Sequence, residues 1–93
     1  MPALQRRAVH QALAGKLRGE ERPGRNHKTY RFTLSDGRWR ETKISHGRAH
    51  DIPASLVSTM AKQLTVTPRQ FQDAVACTMS REDFWAQLEQ APR

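Results

Sequence analysis

Leu4, Ala8, Val9, Ala12 and Leu13 recur at intervals of three and four, with Gln5, Arg6, Arg7 and Gln11 between them. This spacing predicts a short amphipathic helix ending near Gly15. His10 falls on its flank and reads as ordinary surface. Residues 16–22 are weakly patterned and fit a short edge strand around Leu17. Pro23-Gly24 then breaks the chain.

Beyond that break the period changes to two. Tyr30, Phe32 and Leu34 alternate with Arg31 and Thr33, the pattern of a half-buried strand. Asp36-Gly37 is a turn signal, and residues 38–45 read as the returning strand, so 28–45 is a β-hairpin. A two-residue loop would pair Leu34 with Trp39 and Phe32 with Glu41, mixing apolar and charged groups on one face. A three-residue loop with a glycine bulge, pairing Phe32 with Thr42 and Tyr30 with Ile44, separates them. Arg31, Thr33, Trp39, Glu41 and Lys43 then share the wet face, which is expected to be basic.

Helical spacing returns at Ile52, Leu56, Val57, Met60, Ala61 and Leu64, with Pro53 at the first turn. Thr67 and Pro68 suit the N-cap and N1 of a further helix bearing Phe71, Ala74 and Val75. Ser80 and Asp83 suit the start of another, with Phe84, Trp85 and Leu88. The expected fold is α+β: a small antiparallel sheet with helices on one face. The chain of 93 residues reads as one domain, with a core over 4–64 and a helical extension over 67–90.

Charge changes this picture. Residues 1–50 hold twelve Lys/Arg against four Asp/Glu, a net +8, whereas residues 51–93 are net −1. A basic half that includes the strands points to a polyanion, with nucleic acid first and an acidic protein second. The near-neutral C-terminal half argues against a DNA-reading helix-turn-helix around Thr67-Pro68. The single cysteine, Cys77, excludes an internal disulfide and reads as a small buried apolar group; a reducing cytoplasm is the expected location. No apolar run is long enough for a membrane span, and no secretory h-region stands at the N-terminus.

Candidate chemistry gathers at the open end of the hairpin. Folding the chain back brings His27 close to His46, and Lys28 close to Arg48. Two histidines among cations fit phosphodiester chemistry, because imidazole exchanges protons near neutral pH while the cations hold phosphate. Taken alone, two such histidines more often have a structural role, His27 merely opening a strand and His46 bonding a loop carbonyl. No metal site is expected: no Cys/His spacing suggests zinc, and the nearby cations would oppose a metal ion. No GxSxG, P-loop or dinucleotide glycine pattern is present, and no cofactor is expected.

The stretch "NHKTYRF" opening a strand, followed by "DIPASLVSTMAKQL", resembles the HicA-type toxins, small bacterial mRNA interferases with a double-stranded-RNA-binding-like fold. His27 with Tyr30 matches the His-x-x-aromatic part of their motif, and Ile52-Pro53 and Lys62-Gln63-Leu64 match the helix. Gly24 stands one residue earlier than the family's Gly-x-His requires. The resemblance implies metal-independent RNA cleavage with His27 as the catalytic histidine and the 2′-hydroxyl as nucleophile. It also implies mRNA as substrate and a HicB-like antitoxin as partner. Lys28, Arg31 and Lys43 would steady phosphates, with Arg25, Arg40 and Arg48 completing the cationic set; a catalytic role for His46 follows from the hairpin alone. A non-catalytic RNA- or DNA-binding module and a basic protein-interaction domain stay open.

Overall fold

In the computed structural model, which describes residues 3–45, 51–76 and 78–90, the chain begins with a two-residue strand β1 (Leu4–Gln5) and helix α1 (Arg6–Gln11). The helix widens into a π-helical turn over Ala12–Lys16, where the Leu17 N–H reaches the Ala12 carbonyl at 2.7 Å. Arg18, at φ 58°, then reverses the chain. Gly19 follows because nothing larger fits: an added Cβ would stand 2.7 Å from Phe32 Cζ and 2.9 Å from the Leu13 carbonyl. Strands β2 (Glu20–Pro23), β3 (His27–Thr33) and β4 (Trp39–Ser45) form an antiparallel sheet in the order β2-β3-β4. A second sheet pairs β1 with β5 (Asp51–Ile52), setting Leu4 opposite Ile52. Helices α2 (Ala54–Gln63), α3 (Pro68–Val75) and α4 (Arg81–Gln90) follow. The fold is α+β, as the patterning predicts.

The boundaries differ from the expectation at three places: Leu4 lies in β1 rather than in the first helix, Ile52 lies in β5 rather than on the helix that follows, and the edge strand is displaced. The edge strand lies over Glu20–Pro23 rather than around Leu17, because Leu17 is buried in the core at the end of the helical segment.

The hairpin register also differs. The three-residue loop Ser35-Asp36-Gly37 is present: the Leu34 N–H bonds the Arg38 carbonyl at 2.6 Å, and Gly37 sits at φ 91°, where glycine is favoured. Asp36 caps the turn, its Oδ1 accepting the Arg38 N–H at 3.0 Å, which holds its carboxyl below the usual range. A loop closed at Leu34–Arg38 places Tyr30 opposite Thr42 and Phe32 opposite Arg40. The expected pairs, Phe32–Thr42 and Tyr30–Ile44, are therefore two residues out. A shift of two keeps every side chain on its face. Tyr30, Phe32, Leu34, Thr42 and Ile44 are buried as expected.

That buried face meets the helices. Val9, Leu13, Leu17, Tyr30, Phe32, Ile44, Val57, Leu64, Phe71, Phe84 and Leu88 belong to one core cluster. Each such side chain contributes about 1.5–3 kcal/mol on burial. The last two helices are part of this core rather than a tail. Phe32 packs on Phe84 and Trp85 at ring-centroid distances of 5.6 and 5.4 Å, and Trp85 Nε1 donates to the Leu17 carbonyl at 2.8 Å.

The helix ends follow from local chemistry. Pro53 is the N-cap of α2 rather than its first helical residue. Thr67 caps α3 in a reciprocal box with Gln70, and Pro68 stands at N1. Before α4, Ser80 Oγ accepts the Asp83 N–H at 3.1 Å. Helix α2 ends on Thr65 in the left-handed conformation, φ 60°, with the Val66 N–H reaching back to the Ala61 carbonyl. A β-branched residue is unfavourable there.

Candidate nucleic-acid interface

His27 is the first residue of β3, opposite Ser45, and is half-buried. The turn from β2 positions it. Pro23 pairs with Lys28, so the connection is tight, and a Cβ on Gly24 would stand 2.6 Å from the His27 carbonyl oxygen. The early glycine therefore has a local role: it lets the chain pass closely over the backbone of His27.

A concavity of about 390 Å³ opens beside His27. Its polar lining is Arg6, Asn26, His27, Lys43, Thr59 and Gln63, over a floor of Ile44, Ile52, Leu56 and Met60. A second concavity of about 400 Å³ adjoins it, lined by residues 39–43 of β4 with Lys62, Gln63 and Thr65. Lys43 and Gln63 belong to both. Together they make a groove between the edge strand β4 and helix α2. Thr42 Oγ1 donates to Gln63 Oε1 at 2.8 Å and ties the two walls together.

The groove is electropositive. Arg6, Lys43, Arg40 and Lys62 line it against one carboxylate, Glu41. That carboxylate is already bound by Arg31 at 2.8 Å. Lys43 and Lys62 make no ion pair among the described residues.

The wet face of the sheet is not uniformly basic. The observed register sets Arg31 between Glu20 and Glu41, and its guanidinium stacks 4.2 Å from the Trp39 ring centroid. The expected register would have put Arg31 opposite Lys43, an unfavourable like-charge pair. The shift by two residues exchanges that repulsion for an ion pair, and it sets Lys43, a groove residue, opposite Thr29.

The other candidates separate in the same way. Lys43 lies on the groove. Arg25 is exposed in the turn before His27. Lys28 points elsewhere, 3.7 Å from Glu21. Arg40 is buried, with Nε donating to Thr65 Oγ1 at 3.2 Å, so it forms a wall of the groove rather than an outlying phosphate contact. His46 and Arg48, like His50 and Cys77, lie outside the described residues.

His10 is not ordinary surface. Its Nδ1 lies 2.5 Å from the hydroxyl of buried Tyr30, which in turn donates to Glu21 Oε1 at 3.1 Å. Burial and the neighbouring Glu21 carboxylate push the Tyr30 phenol above its ordinary value of 10.0. This network braces β2 and β3 against α1 at the edge away from β4.

Sequence patterning missed Arg6, Asn26 and the apolar floor. Arg6 and Ile52 reach the site through the β1–β5 pairing, and two-residue strands leave no periodicity to read. Lys62 and Gln63 were visible as part of the family-like "AKQL" stretch, though not as groove residues. Among the described residues no group of three or more His, Cys, Asp or Glu could hold a metal ion, and no helix is long and apolar enough to cross a membrane. No protein-family model, curated protein or solved structure matches the chain.

Proposed function

We propose that this chain binds single-stranded RNA along the β4–α2 groove and cleaves it as a HicA-like mRNA interferase. The observation that supports this reading best is His27 on the rim of a concavity it shares with Arg6 and Lys43. The cations hold the phosphate. The neighbouring ribose 2′-hydroxyl attacks phosphorus, and the bond to the 5′-oxygen breaks. The products are a 2′,3′-cyclic phosphate and a free 5′-hydroxyl. His27 either takes the 2′-hydroxyl proton or supplies one to the leaving oxygen. An acidic antitoxin of the HicB-like kind would inhibit by covering the groove, and the lone cysteine suits a reducing cytoplasm. A non-catalytic RNA-binding module is the second reading. It is favoured by His27 being the one imidazole among the described residues lining the groove.

Binding is tested by fluorescence anisotropy with a short single-stranded RNA over a salt series. Contact with about four phosphates gives a log–log slope near −3. Lys43→Glu should weaken binding and flatten the slope by about 0.7 or more. Arg69→Glu, on the exposed side of α3, should change both little. A flat salt response in the unaltered protein contradicts the nucleic-acid reading.

A further inference from the structure

Phosphate contacts explain Arg6, Lys43 and Lys62, but not the floor of the concavity beside His27. Ile44, Ile52, Leu56 and Met60 form an apolar surface there. Leu56 on α2 is 45 % exposed, although its neighbour Val57 is fully buried. The rim carries two carboxamides, Asn26 and Gln63, which have both donors and acceptors. Gln63 is held in place by its bond from Thr42 Oγ1 at 2.8 Å. Its Nε2 has no partner among the described residues. An apolar slot with carboxamides and cations at its edge is complementary to a nucleotide, with the flat base inside and the phosphates outside.

We infer that this concavity is a base-binding subsite, taking one unstacked nucleobase next to the phosphate that Arg6 and Lys43 hold beside His27. The inference rests on the RNA reading and adds to it a source of sequence preference. Size agrees with a single occupant. A concavity of about 390 Å³ lies at the lower end of the range of small-molecule sites, roughly 300–1,000 Å³, and has room for a nucleobase. The geometry suits RNA in single-stranded form, because only an unpaired base can leave its stack and present its edge to Asn26 and Gln63. Leu56 and Met60 would cover the face of the base, and Gln63 Nε2 would donate to a carbonyl or ring nitrogen on its edge.

The test uses the full chain carrying His27→Ala, so that no probe is cut. The probes are an intact single-stranded RNA heptamer and the set of heptamers with one abasic ribose at each position in turn. One abasic position should bind about tenfold more weakly than intact RNA, the loss that about 1.4 kcal/mol of burial and hydrogen bonding produces. Adding Leu56→Ser should weaken intact RNA by a similar factor, leave that abasic probe unaffected and keep the salt slope unchanged. Far-ultraviolet circular dichroism is the control for fold: the Leu56→Ser chain should keep the spectrum of its parent, since Leu56 is exposed. If intact RNA binds in a salt-dependent way but every abasic probe binds equally well, the subsite is overturned while RNA binding stands. That outcome is also expected if the slot instead takes an apolar side chain of a protein partner. If intact RNA does not bind even at low salt, the RNA reading fails and the subsite with it.

Discussion

Replacing Phe84 with alanine removes the ring by which α4 joins the core. Phe84 is fully buried, and its ring lies 5.6 Å from that of Phe32 in the central strand. Truncating a buried phenylalanine costs about 3–5 kcal/mol, part of it from the void left behind. A domain of this size has a total stability of roughly 5–14 kcal/mol. One kcal/mol shifts its melting temperature by about 4–8 °C, so Phe84→Ala should lower Tm by at least ~12 °C. Trp85→Phe provides the internal comparison. It retains a ring against Phe32 but strips the N–H that the Leu17 carbonyl accepts at 2.8 Å, a loss nearer ~1 kcal/mol. Thermal unfolding followed by circular dichroism at 222 nm, with urea unfolding in parallel, measures both. A Phe84→Ala shift below about 4 °C, or one smaller than that of Trp85→Phe, would mean that α4 is not built into the core.

Two further predictions follow from side chains outside the groove. Thr67→Ala removes the capping box of α3 and should cost about 1 kcal/mol, read as a Tm lower by several degrees. Tyr30 is the only tyrosine in the chain, so ultraviolet absorbance near 295 nm reports its ionisation alone. Its folded-state value lies above the ordinary 10.0, so no phenolate should form at pH 10 while the protein stays folded. The unfolded chain releases that proton first. The contribution of Tyr30 to stability should therefore be constant below pH 10 and be lost above it, and phenolate absorbance at pH 10 from folded protein would contradict the buried Tyr30–Glu21 bond.

How far these features could be read from sequence differs by element. The 3.6-residue spacing of Val57, Met60, Ala61 and Leu64, and the Thr67-Pro68 start signal, are local and give α2 and α3 directly. The alternation at Tyr30, Phe32 and Leu34 gives the buried face of the hairpin. Register is harder, because a shift of two residues leaves the polar–apolar pattern unchanged. Yet it decides whether Arg31 meets Glu41 or Lys43, and with that whether the sheet face is mixed or basic. His27 was legible as a strand-opening histidine with cations near it in sequence. Its actual neighbours, Arg6 from α1 and Lys43 from β4, depend on tertiary pairing. The His10–Tyr30 bond was hidden for the same reason, since it joins residues twenty apart on different elements.

The central claim is that the groove beside His27 cuts RNA. The most direct measurement incubates the purified chain, separated from any bound partner, with single-stranded RNA at pH 5–9 in the presence of a chelator, beside its His27→Ala variant. Products are resolved by gel and their ends identified by mass. The account predicts fragments ending in 2′,3′-cyclic phosphate from the unaltered chain. His27→Ala should cut at least about a hundredfold more slowly, as loss of a general acid–base group implies, while binding RNA with similar affinity. The same RNA with a 2′-deoxyribose at the scissile position should survive intact. Equal cleavage by both proteins, or none by the unaltered chain at any pH despite tight RNA binding, would contradict the catalytic role of His27.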